Sequence, residues 1–189
     1  MNIWEEIKQT FKNGSIVTRL IYLNLAVFLA LRIVLVLFSL FNINVLILPW
    51  LALPSDFGQL LTRPWTIITY MFLHYDFIHI IFNVLWLYWF GKIFLNYFDE
   101  KKLLGIYLIG GISGGILYML AYNIFPAFDS VASSGLLLGA SASIIAIVVA
   151  TAVYVPNLSL HLFPISAFFG PVKMIWIALF SVFIYFIGI

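Results

Sequence analysis

The sequence predicts an all-α fold, a polytopic transmembrane helical bundle, and three observations carry that prediction. Of the 189 residues, 65% are hydrophobic and 8% charged, with a mean hydropathy of +1.15, far outside the composition of a water-soluble domain. The apolar residues run in long unbroken stretches rather than the alternating segments of about ten that mark a membrane β-barrel. The few charges stand almost entirely between those stretches. The length suits one bundle domain. A net charge of +2, with no basic patch interleaved with aromatics, gives no reason to expect nucleic acid as a partner. With no cysteine, disulfides, thiolate nucleophiles and cysteine metal sites are excluded.

Residues 1–18 carry Glu5, Glu6, Lys8 and Lys12 and read as an amphipathic or extended surface segment. Their start lacks the basic region and small-residue cleavage site of a signal peptide. The first span covers 19–40 and is interrupted by Asn24 and Arg32, which must snorkel or face protein. Residues 41–77 are too broken by Pro49, Pro54, Gly58 and Pro64 for a span. With Trp50, Trp65 and Tyr70 they are too apolar for a soluble loop, so they read as a structured element in the membrane interface. Arg63 within it reads as a lipid-headgroup contact.

A second span covers 78–94, with Trp86, Tyr88, Trp89 and Tyr97 as its aromatic girdle, and Asp99 to Lys102 form a charged turn. The third span, 103–125, holds two overlapping Gly-xxx-Gly pairs, Gly110 with Gly114 and Gly111 with Gly115, which let a neighbouring helix approach closely. A fourth span is predicted over 133–153, a loop over 154–170, and a fifth span over 172–189. With the N-terminus cytoplasmic, Lys8, Lys12, Arg19, Lys92, Lys101, Lys102 and Lys173 all fall inside, Arg63 falls outside, and Arg32 lies in the membrane. The last apolar run ends without a polar anchor, which leads to the expectation of a missing C-terminal segment.

The polar cluster from His74 to Asn83 asks for a reason in so apolar a chain. His79 and Asn83 are four apart and share one helical face. If the fourth span starts at Ser133, Ser141 lies about 10 Å below the outer boundary, at the depth of His79 and Asn83. A serine, a histidine and an amide in a water-accessible pocket supply a nucleophile, a proton acceptor and oxyanion donors for acyl transfer. Plainer readings stand beside this one. Ser141 can simply permit close packing, and His79 with Asn83 can be an interhelical hydrogen-bonding pair. Metal ligation by His74 and His79 is disfavoured by a five-residue spacing that does not put both rings on one face.

The run Arg63-Pro64-Trp65-Thr66, then Thr69-Tyr70-Met71-Phe72-Leu73-His74, then His79, Asn83 and Gly91, resembles the first-loop and second-helix signature of the rhomboid intramembrane serine proteases. The Gly-rich third span and Gly139-Ala140-Ser141-Ala142 fit the same pattern, so the resemblance covers about 59–189, in family order and spacing. It implies Ser141 as nucleophile, His79 and Asn83 with the Ser141 N–H as oxyanion hole, and His74 and Gly139 as supporting residues. It implies transmembrane protein substrates cleaved near the outer face, a lipid bilayer as surroundings, no metal or organic cofactor, and a prokaryotic plasma membrane as location. Ala142 stands where the family usually has glycine, and Thr66 where it commonly has arginine.

The family takes its general base from a histidine on a sixth helix, so only five of six expected spans are present and that base is not in this chain. His161 follows the fourth span, about 20 Å in depth from Ser141, and is out of reach. Read without the resemblance, His79 would be the base. The chain alone is therefore expected to be inactive. A non-proteolytic rhomboid-like protein that binds membrane clients is the alternative; a small transporter would need buried acids, and Asp76, Asp99 and Asp129 all fall at span ends.

Overall fold

Helix caps and apolar runs set the element order. The computed structural model describes residues 2–44, 46–131, 133–161, 166 and 170–187. Helix α1 (Ile3–Asn13) is capped by Asn2 and turns at Gly14 and Ser15 into α2 (Ile16–Leu40). The interface element contains the short helices α3 (Leu48–Leu51), α4 (Phe57–Thr62) and α5 (Thr66–Thr69), strand β1 (Leu53–Pro54) and a 3-10 turn at Tyr70–Phe72. Then follow α6 (Phe77–Leu95) and α7 (Glu100–Ile124), the latter capped by Asp99, which accepts from the Lys102 N–H at 2.8 Å. Strand β2 (Leu136–Leu137) leads to α8 (Ser141–Tyr154), and the pair β3 (Ser159–Leu160) and β4 (Val172–Lys173) leads to α9 (Met174–Ile187). The fold is all-α and polytopic. Helices α2, α6 and α7 are long and apolar enough to cross a membrane, while α8 and α9 are shorter apolar helices.

The fourth predicted span needs correction. Residues 133–140 are not helical; β2 pairs antiparallel with β1, Leu53 opposite Leu137 and Pro54 opposite Leu136, and the helix begins only at Ser141. Gly135 and Gly139 favour non-helical backbone, and pairing with the interface element supplies the hydrogen bonds a helix would have made internally. Of the predicted 154–170 loop, 162–165 and 167–169 lie outside the described residues, as do the last two residues of the fifth span.

The core sits between α7, α8 and the interface element, with Tyr70, Met71, Leu103, Tyr107, Ile144 and Ile147 buried. The predicted glycine face of α7 is where α8 docks. A methyl on Gly110 would collide with the Ala146 Cβ, and one on Gly114 with the Ala142 Cβ. Gly111 and Gly115 give the same clearance to Met71 and Leu53. On the other side of the bundle, Gly91 of α6 accommodates Val17 of α2. Phe90, Val148 and Met174 join α6, α8 and α9 in a second cluster.

Several polar side chains of the spans and of the interface element find protein partners. Asn24 is buried, donating to the Leu20 carbonyl at 2.8 Å and to the Tyr107 hydroxyl at 3.4 Å. The Tyr107 hydroxyl in turn donates to the Met71 carbonyl at 3.2 Å. Arg32 donates to the Tyr75 carbonyl and lies over the Tyr75 ring. Arg63 is turned into the protein rather than toward headgroups: it donates to the Pro49 carbonyl and to Gln59 Oε1 and lies over Trp50, which stacks on Trp65. Thr66 is fully buried and donates to the Arg63 carbonyl at 2.7 Å, so the position is filled by a side chain that caps its own turn.

This packing predicts that Gly110→Leu, which forces an isobutyl group against Ala146, lowers stability by about 1–3 kcal/mol or more. Equilibrium unfolding in detergent, followed by intrinsic fluorescence, measures it; an unchanged midpoint would mean that α7 and α8 do not meet there.

Candidate active site

The fold brings Ser141, His79 and Asn83 to the wall of one cavity of about 540 Å³. His79 stands in the first turn of α6, and Asn83 follows one turn later, with one amide hydrogen donated to the His79 carbonyl at 3.0 Å. Ser141 is the first residue of α8. It is not two turns into a span, as the sequence suggested, yet it still reaches the histidine because the short strand Leu136–Leu137 and the turn at Gly139 and Ala140 carry the chain to it.

The turn before Ser141 is held by four hydrogen bonds to three residues, Ser55, Tyr70 and His74. The Gly135 carbonyl accepts from the Ser55 N–H at 3.0 Å and from the Ser55 hydroxyl at 3.1 Å. The Gly139 N–H donates to the Tyr70 carbonyl at 2.9 Å. The Ala140 N–H donates to Nε2 of His74 at 3.5 Å, which puts the imidazole proton on Nδ1. His74 is fully buried, its ring 5.1 Å from that of His79 in edge-to-face contact. Burial first, and His79 second, hold the His74 imidazole below its ordinary range, so it is neutral at pH 7.

Gly139 has φ +119°, a conformation that a side chain would strain. A Cβ there would also fall 2.8 Å from Cε1 and 3.0 Å from Nε2 of His79, and 3.9 Å from the Ser141 hydroxyl oxygen. The imidazole and the serine hydroxyl thus flank a single point above the glycine. No side chain caps α8, since Ala140 stands at its cap position. The first N–H groups of the helix have no acceptor within it, and its positive dipole end is at the serine. A nucleophilic oxygen, an imidazole, an amide and unengaged main-chain donors around one cavity are able to bind a carbonyl and stabilise the oxyanion formed on attack.

His161 is exposed and lies beyond the opposite end of α8, which rises about 21 Å, so it does not join the cluster. Sequence reasoning did not single out the α9 wall of the cavity, Ser181 and Tyr185. Their signal was present, as two polar residues four apart on an otherwise apolar run. It also missed the Ser55 and Tyr70 contacts to the serine turn.

A polytopic helical protein with a serine, a histidine and an asparagine gathered at a helix start defines the class. The family model described as Rhomboid domain matches residues 61–189. The chain is 27% identical over 188 residues to the RHOMBOID-like protein 12, mitochondrial, of Arabidopsis thaliana, covering 95% of this chain and 52% of that one. The chain therefore spans about half the length of this curated relative. It belongs to the rhomboid family, and it is a membrane protein by family and by its apolar helices.

The neutral, buried His74 sets a pH dependence. Its folded-state pKa is depressed, so the unfolded chain binds the extra proton more readily, and stability is lost as pH falls below about 6.5. Denaturant unfolding at stepped pH should show this loss, and His74→Gln should flatten it.

Proposed function

We propose that the protein is an intramembrane serine endopeptidase that cleaves transmembrane protein substrates near the outer membrane face. The observation that carries this reading is the start of α8 at Ser141, uncapped and facing His79 and Asn83 across one cavity. In this reading the Ser141 hydroxyl attacks the scissile carbonyl and its proton passes to a base and then to the amine that leaves as the C–N bond breaks; water then attacks the acyl-serine ester, freeing the carboxylate and restoring the hydroxyl. The oxyanion is met by His79, by the free amide hydrogen of Asn83 and by the Ser141 N–H. His74 holds the serine turn through Ala140, and Gly139 leaves room for the His79 ring. No metal or organic cofactor is required by this chemistry.

His74 accepts from the serine turn and His79 is assigned as donor, so neither is the base in this reading. A second groove of about 720 Å³ lies between α7, α8 and α9, lined by Gly110, Gly114, Ala142 and Ala146. Substrate reaches Ser141 between α6 and α9, past Phe82 and Trp86 on one side and Phe180 and Ile184 on the other, with α9 as the moving wall. The interface element shields the cavity elsewhere. The N-terminus is cytoplasmic, since the cations gather at the end of the bundle where α2 begins.

Two expectations test this reading. Ser141→Ala should abolish cleavage of a reporter with a helix-destabilised transmembrane segment, and unchanged cleavage would overturn the assignment. His79→Ala should slow covalent labelling of Ser141 by a fluorophosphonate by about 10²–10³-fold without ending it, as for loss of one oxyanion donor; complete loss would make His79 the base.

A second reading is favoured by one observation: among the described residues, no imidazole besides His74 and His79 stands near Ser141. It is a non-proteolytic rhomboid-like protein that holds membrane clients in the same cavity. Absence of all cleavage by the unaltered protein, with a client still retained, would favour it.

A further inference from the structure

Among the longer helices of the described residues α1 is the most amphipathic, and none of its residues is buried. Its two neighbouring rows differ in chemistry. Ile3, Ile7 and Phe11, spaced by four, form an apolar row, and Trp4, Lys8 and Lys12 form the row beside it. Glu5, Glu6, Gln9, Thr10 and Asn13 occupy the rest of the surface. Ile3 is 74% exposed and Trp4 59% exposed, while Phe11 meets Tyr22 of α2 edge to face. A soluble helix with so free an apolar row would be unfavourable.

The helix is also fixed in place. Arg19, in the first turn of α2, donates to the last carbonyls of α1, Phe11 at 3.3 Å and Lys12 at 3.1 Å. The elbow at Gly14 and Ser15 therefore does not swing freely, and α1 departs from the start of an apolar spanning helix. An exposed apolar side of α2 continues from that elbow through Leu25, Leu29 and Ile33. Seven of the nine cations, Lys8, Lys12, Arg19, Lys92, Lys101, Lys102 and Lys173, lie at this end of the bundle, with only four of the seven acids. The surface there is positive, which suits an anionic leaflet.

We infer that α1 is a membrane-surface anchor, lying in the headgroup layer of an anionic leaflet with Ile3, Trp4 and Ile7 toward the acyl chains. Lys8, whose ammonium lies 5.0 Å from the Trp4 ring centroid, and Lys12 border the inserted row, with their charged heads toward the lipid phosphates. The inference is independent of the catalytic reading, since it concerns the opposite end of the bundle and needs no chemistry at Ser141. It makes the depth of α2, and with it of α6 packed against Val17, answer to the leaflet that α1 rests on.

The chain has no cysteine, so a single introduced thiol is a unique labelling site. The full protein carrying Ile3→Cys or Gln9→Cys is spin-labelled and reconstituted into vesicles of mixed phosphatidylcholine and phosphatidylglycerol. Relaxation by oxygen is then compared with relaxation by a water-soluble nickel chelate. The label at position 3 should relax several-fold more with oxygen, and the label at position 9 several-fold more with nickel. In vesicles of phosphatidylcholine alone, the contrast at position 3 should shrink. Two labels equally open to nickel would overturn the inference, as would dipolar broadening at position 3, which would mean that a second copy covers the row. No change on removing phosphatidylglycerol would overturn the anionic preference.

Discussion

An irregular stretch of backbone, Gly135 to Ala140, runs inside a bundle whose surroundings are apolar, and its polar groups must find partners in protein. Those partners come from the interface element: Ser55 at the Gly135 carbonyl, Tyr70 at the Gly139 N–H, and His74 at the Ala140 N–H. The element is tied down in its turn. The Tyr70 hydroxyl donates to the Gly111 carbonyl, and the Tyr107 hydroxyl donates to the Met71 carbonyl while receiving a bond from Asn24. The position of Ser141 thus depends on contacts from α2 and α7 that never touch it.

The glycine face of α7 serves the same end. It brings α8 close enough for its first turn to meet the interface element, because Gly114 and Gly110 remove the volume that would hold the helices apart. A side chain at either position would displace the helix whose first residue is the serine. Packing and site are one arrangement here, which is why the plain packing reading of these glycines and the functional reading of Ser141 are compatible.

The long spans were legible because α2, α6 and α7 are long, predominantly apolar runs that start at polar residues, and composition alone distinguishes them from loops. The shared face of His79 and Asn83 followed from their spacing. The start of α8 was not legible, since Leu136, Leu137 and Leu138 have the composition of a span and only the flanking glycines spoke against it. Their pairing partners are some 80 residues earlier, beyond the reach of local pattern. Arg63 was misread for a similar reason. Its acceptor at Pro49 and the Trp50 face are assembled by the folding of the interface element, and a lone cation in an interfacial sequence gives no sign of them.

Helix α8 has fourteen residues and rises about 21 Å, whereas the hydrocarbon core of a bilayer is about 30 Å thick. Its neighbours are protein: α7 lies along one side and α6 and α9 along the others, so α8 is an inner post of the bundle rather than a strut against lipid. An inner helix is free to be shorter than the bundle around it, and the length it gives up at its start is the room in which Gly135 to Ala140 and the cavity above Ser141 are built.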